Sequence, residues 1–127
     1  MTQREFETIV ADIGLSAVPE KLRDRIKNVA FIIEYEPSKE TRKKQGLRHN
    51  QTLLGLYHGI PQSVRGVNYG VGNVLPDTIT LYQKPIEEAG GGDPVKIREV
   101  IKNTIWHEVA HHFGLDHKEI AKRERKV

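Results

Sequence analysis

The 127-residue sequence contains no cysteine, so disulfide bonds and thiolate metal ligands are both excluded. It contains no run of about 18 apolar residues, which excludes a membrane-spanning helix of ordinary length. The opening stretch, Met-Thr-Gln-Arg-Glu-Phe-Glu, lacks the apolar core of a signal peptide. These absences predict a cytoplasmic protein that does not enter a membrane.

The composition is that of a folded protein that is somewhat polar, with 37% hydrophobic and 29% charged residues. A chain of 127 residues is long enough to bury one modest core. We therefore expect a single domain over residues 1–127. The net charge of +3 is too small to indicate a nucleic-acid partner by itself.

One stretch near the C-terminus carries recognisable chemistry. Residues 107–117 read His-Glu-Val-Ala-His-His-Phe-Gly-Leu-Asp-His. On a helix, His107 and His111 are four residues apart and share one face, so both rings can reach the same metal ion. Glu108 lies about 100° further round the helix, where it is placed to take a proton from a metal-activated water. The spacing predicts a zinc hydrolase site with Glu108 as its base.

A turn and a third ligand are expected directly after that helix. Gly114 can adopt a positive φ and reverse the chain, after which His117 can return to the metal. Asp116 is the alternative third ligand, or an acceptor for a histidine N–H, although the motif spacing favours His117. At this composition the full spacing would arise by chance with a probability on the order of one in ten thousand. We expect one Zn²⁺ ion held by His107, His111 and His117, with an open fourth position.

The order H-E-x-x-H-x-x-G-x-x-H resembles the zincin metallopeptidases in their metzincin form. Most of the chain is similar to one group in particular, the minimal zincin-like family of small bacterial possible zinc metallopeptidases. The similarity lies in residues 53–57 (LLGLY), 75–82 (LPDTITLY) and 107–114 (HEVAHHFG). Members of that family often carry Asp at the position of His117, and zinc accepts either ligand. Metzincins place a methionine beneath the metal after the third ligand, whereas the only methionine here is Met1, so the chain departs from them.

The resemblance implies an α+β domain, in which a small twisted sheet packs on a buried active-site helix and further helices lie at the N-terminus. It implies a zinc-dependent metallopeptidase whose substrate is a peptide or protein. A different class of function is the alternative: a non-catalytic metal-binding or interaction module that keeps the zincin fold. A partner subunit that completes the substrate cleft is compatible with either function.

Three helices have clear start signals. A capping box of Thr2 and Glu5 begins the first helix, which Gly14 ends. A second helix begins at Pro19, a favoured first-turn residue. The site helix opens with the Asp-Pro pair at 93–94, a good N-cap followed by a residue suited to the first turn. Apolar residues surround most of that helix, which is typical of a buried central helix.

Three strands are predicted over residues 29–35, 52–58 and 78–83. The first is continuously apolar, and we expect it to lie in the interior of the sheet. The third strand or its neighbour is the candidate edge for an extended substrate. The basic segment 37–51 is predicted to be a solvated, mobile loop rather than a nucleic-acid surface, and residues 59–77 form a long loop of the kind that is often functional.

Several further residues have weaker claims. Tyr69 and Tyr82 could donate a hydrogen bond to a developing oxyanion, and Arg65 could bind a substrate carboxylate. Each of the three is more often structural. His49 is interpreted as a surface histidine. His112 points about 100° away from the metal-facing histidines, so we expect it to pack or to support a ligand.

Overall fold

The computed structural model describes residues 1–26, 28–59 and 76–114. In chain order these residues form the helices and strands α1 (Gln3–Ile13), α2 (Glu20–Arg23), β1 (Val29–Glu34), α3 (Lys39–Lys44), β2 (Gly55–His58), β3 (Asp77–Tyr82), α4 (Gln83–Ala89) and α5 (Pro94–His112). This combination of helices with one small sheet confirms the predicted α+β class. Among the helices of these residues, none has the length and apolar character needed to span a bilayer.

Strand β3 occupies the centre of the sheet, whose strand order is β1-β3-β2. It runs parallel to β1 and antiparallel to β2. Ile79 lies opposite both Phe31 of β1 and Tyr57 of β2. Ile79 and Leu81 are fully buried, so their face of the central strand lies against the core.

The prediction that the first strand lies inside the sheet is wrong. β1 is an edge strand of the described sheet, and Ile32 on it is 41% exposed. A run of apolar residues is compatible with a strand covered on both faces, but it does not report whether a neighbouring strand lies on each side. The length of the apolar run was therefore a poor guide to the strand's place in the sheet.

The helix starts follow the sequence signals. Thr2 Oγ1 accepts a hydrogen bond from the Glu5 N–H at 3.1 Å, as the first half of a capping box requires. Asp93 Oδ1 accepts one from the Val95 N–H at 3.0 Å. Both bonds satisfy N–H groups that the first turn of a helix leaves without partners. Helix α2 begins at Glu20, one residue later than predicted, and Pro19 is its N-cap.

The prediction of a loop over residues 37–51 is wrong in part, because the segment contains helix α3. Ser38 caps this helix, and its Oγ accepts a hydrogen bond from the Thr41 N–H at 3.1 Å. None of the six residues of α3 is buried. A short helix that is polar on every side shows no apolar periodicity, so the pattern could not reveal it.

The core lies between α1, the sheet and α5. An ion pair between Asp12 of α1 and Arg98 of α5 joins the two helices at the surface. Burial of each large apolar side chain in the core stabilises the folded state by on the order of 1.5–3 kcal/mol. The fully buried members of this core include Phe6, Ile79, Leu81, Ile86, Ile101, Ile105, Val109 and Ala110. Because α5 supplies half of them, its backbone is fixed where the candidate site begins.

Candidate active site

Helix α5 carries His107, Glu108 and His111 on the side that faces away from the core. Ile105 and Val109 on the opposite side are fully buried. His107 and Glu108 are half-buried, and His111 is exposed. The helix is therefore anchored on one side and presents its polar residues on the other.

The ring of His107 is oriented by the helix itself. Its Nδ1 lies 2.8 Å from the main-chain oxygen of Asn103, one turn earlier. Because a carbonyl oxygen can only accept, Nδ1 is the donor in this contact, and Nε2 is the ring nitrogen suited to a metal. A hydrogen bond from the ring nitrogen that does not bind the metal commonly orients a metal-binding histidine.

The two predicted histidine ligands are close together. The ring centroids of His107 and His111 are 6.5 Å apart, with their planes tilted by 35°. Two imidazoles that share one zinc ion at about 2.1 Å have centroids about 5 Å apart. A donor set of two imidazoles on one helical face suits zinc.

The predicted turn is present after α5. Gly114 has a φ of +74°, a conformation that glycine adopts without strain. His117 and Asp116, the two candidates for the third ligand, lie outside the described residues. Among residues 1–26, 28–59 and 76–114, no three His, Cys, Asp or Glu side chains come together as a metal-binding group.

Glu108 is attached to the edge of the sheet. Its Oε1 accepts a hydrogen bond from the main-chain N–H of Tyr57 in β2 at 3.1 Å. The Tyr82 N–H of β3 donates a hydrogen bond to the main-chain oxygen of Leu54. In an antiparallel pair, every second residue of a strand points its N–H and C=O groups at the neighbouring strand. The main-chain groups of Leu54 and Leu56 therefore point towards β3. The N–H of Tyr57 therefore points away from the sheet. The free edge of β2 faces α5, and Glu108 contacts it.

The electrostatic environment of Glu108 favours its protonated form more than water would. Burial raises the pKa of the Glu108 carboxyl above its ordinary value. The hydrogen bond from Tyr57 and the nearby His111 and His107 act in the opposite direction and offset part of that effect. A carboxyl whose pKa is raised by burial is a common feature of catalytic sites.

A cavity of about 410 Å³ opens beside His107 and Glu108 of α5. One wall comes from the chain entering β2 and the other from α5, with Ala89 between them. The lining is mixed, apolar towards Leu53 and Val100 and polar towards the site. The lining residues are Thr52, Leu53, Leu54, Gly55, Ala89, Val100, Asn103, Thr104, His107 and Glu108. The cavity therefore adjoins the free edge of β2 and both His107 and Glu108.

His112 packs, as predicted, and does not face the other two histidines. Its ring stacks on the ring of Tyr57, with centroids 4.0 Å apart and planes 19° from parallel. The Tyr57 hydroxyl donates to Asp77 Oδ2 at 2.6 Å. The side chains of Tyr57 and His112 thus connect β2 with the last turn of α5.

The weaker candidates divide into two groups. Tyr69 and Arg65 lie outside the described residues. Tyr82 is 1% exposed, and its phenol shares a hydrogen bond with Thr41 of α3, so it is not presented to a substrate. His49 is exposed, in agreement with its interpretation as a surface histidine.

Two functional contacts were missed by the sequence analysis. The carbonyl of Asn103 could have been found, because residues four apart on a helix are neighbours on one face. The N–H of Tyr57 had no signal in the sequence. It is a main-chain group, 51 residues away from Glu108, and any residue at position 57 except proline would supply it.

Comparison with known proteins gives the same family as the residues do. The sequence profile of zincin-like metallopeptidases matches residues 26–127. No curated protein matches the sequence. A conserved hypothetical protein from Thermus thermophilus has a similar structure, with a TM-score of 0.54 and 24% sequence identity over 96% of this chain and 99% of that one. At that identity the likeness concerns the fold alone.

Proposed function

Because the chain belongs to the zincin-like metallopeptidase family, we propose that it is a zinc-dependent enzyme that hydrolyses peptide bonds. His107, His111 and His117 bind the metal, and Glu108 is the general base. The observation that carries the proposal is the placement of Glu108, which is held by the edge of the sheet next to two histidines on one helical face.

The residues of this chain have separate tasks in the reaction. Zinc, when bound, would supply Lewis acidity at the substrate carbonyl and a more acidic water. Glu108 receives a proton from that water and passes it to the leaving amine. Its Oε1 is held by the Tyr57 N–H, so Oε2 is the oxygen that takes and releases the proton. Burial raises the pKa of Glu108, which makes its carboxylate a stronger base for the first transfer.

The substrate in this proposal is an extended peptide or protein segment. An extended chain can add to an exposed strand edge through main-chain hydrogen bonds, and the free edge of β2 runs beside the cavity. We expected the third strand or its neighbour to provide this edge, and in the proposal that neighbour is β2. A partner subunit that completes the cleft, a single domain over residues 1–127 and a cytoplasmic location remain predictions.

The first experiment measures the zinc content and zinc affinity of the purified protein. We expect one tightly bound ion in the wild type, and its loss in His107→Ala, His111→Ala and His117→Ala. Asp116→Ala should keep the ion. His49→Ala is the matched control, since it removes an exposed histidine from a distant segment.

The second experiment tests turnover of a broad peptide library at stoichiometric zinc. Glu108→Gln should retain zinc and lose at least about 100-fold in kcat, because the amide accepts the same hydrogen bond but cannot take the proton. Unchanged turnover in this variant would remove Glu108 from the mechanism. Weak zinc binding that is indifferent to all the histidine variants would favour the non-catalytic module instead.

A further inference from the structure

Contacts of Tyr57 join β2 both to β3 and to α5. Its main-chain N–H donates to Glu108 Oε1 at 3.1 Å, and its hydroxyl donates to Asp77 Oδ2 at 2.6 Å. Its ring stacks on His112 at a centroid distance of 4.0 Å. One residue of β2 is thus bonded to the start of β3 and touches α5 at two positions, four residues apart.

The side-chain contacts of Tyr57 hold it more firmly than its position in a short edge strand would by itself. It lies near the end of a four-residue edge strand, and short edge strands are among the less stable parts of a sheet. A hydroxyl bonded to a carboxylate is a charge-assisted contact, and a stacked aromatic pair adds a preferred geometry. Together they fix the position of the strand backbone at residue 57.

His112 is exposed to solvent, but its ring has further neighbours besides Tyr57. Phe113 meets the His112 ring edge-on at a centroid distance of 5.1 Å, and Arg25 lies 4.6 Å above the centre of the Phe113 ring. The chain leaving β2 passes so near that a Cβ at Gly59 would lie 2.7 Å from His112 Cε1. These contacts restrict the orientation of the exposed His112 ring on which Tyr57 stacks.

We propose that Tyr57 is a positioning residue for Glu108. Its side chain, held between Asp77 and His112, sets the outward N–H of β2 at the distance that binds Oε1. The second carboxylate oxygen is then directed to the reacting water. This inference rests on the proposed function for the role of Glu108, but the contact itself is measurable without turnover.

Hydrogen exchange of single main-chain amides tests the contact in the metal-free protein. The Tyr57 N–H points away from β3, so its protection depends on Glu108, whereas the Leu56 and His58 amides are protected by the ladder. In Glu108→Ala we expect Tyr57 to exchange about 10-fold faster or more, because hydrogen bonds to charged groups are worth that much. Leu56 and His58 should be unchanged, and Glu108→Gln should fall between the two.

Side-chain variants test what holds the amide in place. Tyr57→Leu and His112→Ala each remove the stack and should speed exchange at residue 57 by several-fold. His112→Phe restores an aromatic surface and should return the rate close to that of the wild type. Tyr57→Phe keeps the stack and loses only the bond to Asp77, so a smaller change is expected. Tyr35→Phe is the matched control, since Tyr35 is 61% exposed.

Steady-state kinetics with zinc bound test the catalytic consequence. A displaced general base lowers kcat without weakening substrate binding, so Tyr57→Leu should reduce kcat by about 10- to 100-fold and change KM by less than about twofold. His112→Phe should recover the kcat lost in His112→Ala. A variant that only loosened the fold would not be rescued by a second aromatic ring.

The outcomes separate this inference from the proposed function. Unchanged exchange at Tyr57 in Glu108→Ala overturns the positioning role whatever the activity. Equal kcat in the wild type and Tyr57→Leu, with both folded by circular dichroism, overturns it too. If zinc-loaded wild type cleaves no peptide although the amide depends on Glu108, the proposed function fails and the catalytic role of Tyr57 fails with it.

Discussion

The two edge strands of the sheet differ in what lies against them. On β1, the longer and more apolar of the two, Ile32 is 41% exposed. On β2, the main chain approaches α5 so closely that a Cβ at Gly55 would lie 2.7 Å from Thr104 Cγ2. Two residues later the Tyr57 N–H is bound by Glu108. One edge therefore carries an exposed apolar residue, and the other forms the boundary of the candidate site.

This difference shows that the apolar character of a strand does not identify the edge that has a function. The functional edge needs a main chain that a neighbour can approach, and side chains get in the way of such an approach. Gly55 permits the approach because it has no side chain. The apolar side chains of β1 contribute to packing on one face and do not prepare its edge for chemistry.

The largest effect on stability is expected from a side chain added at the β2 edge. In Gly55→Ala, the new Cβ would also lie 3.0 Å from Thr80 O, so β2 must move away from α5. We expect the free energy of unfolding, measured by urea denaturation, to fall by about 1–3 kcal/mol. Zinc-dependent turnover should fall as well, because Thr104 lies one helical turn before Glu108.

A double mutant identifies the cause of that loss. Thr104→Ser removes the Cγ2 that the new Cβ would meet and keeps the hydroxyl, which donates to Val100 O at 2.7 Å. Gly55→Ala with Thr104→Ser should therefore be more stable than the sum of the two single changes predicts. Strict additivity would show that contact between β2 and α5 is not what makes residue 55 sensitive.

The sequence was informative where local rules apply and uninformative where distant segments meet. Asp93 and the spacing of His107 and His111 predicted both the start of α5 and the face that carries the site, since caps and helical periodicity are local. The edge position of β1 and the bond from Tyr57 to Glu108 depend on how strands are ordered, which no local pattern encodes. His117 stays a prediction, because it lies outside the described residues.

A smaller effect on stability is expected from Tyr82, at the end of β3 next to β1. Burial, and then the charge of Glu34 opposite in the register, raise the pKa of the Tyr82 phenol, while a hydrogen bond with Thr41 acts against them. The unfolded chain loses this proton near pH 10, and the folded chain keeps it, so the stability that Tyr82 contributes is present below about pH 10 and is lost as pH rises further.

Tyr82→Phe tests this pH dependence. At neutral pH the variant should be less stable by about 0.5–1.5 kcal/mol, because it lacks the bond to Thr41. The difference in free energy of unfolding between wild type and variant should shrink as pH rises from about 9 to 11. The reason is that the unfolded wild type can lose the Tyr82 proton, whereas phenylalanine has none to lose. Tyr35→Phe, at an exposed position of the same edge, is the control. If the difference in free energy of unfolding between wild type and Tyr82→Phe stayed constant over this pH range, the pH dependence assigned to Tyr82 would be wrong.

The smallest effect is expected on the exposed residue of β1. Ile32→Thr keeps a β-branched side chain in the strand and removes an apolar group that is already 41% exposed. The free energy of unfolding should change by less than about 0.5 kcal/mol, and zinc content and turnover should not change. A loss of several times that size that grows with dilution of the protein would show that a second subunit covers β1. The two edges would then differ in what contacts them, a partner subunit at β1 and the Glu108 side chain at β2.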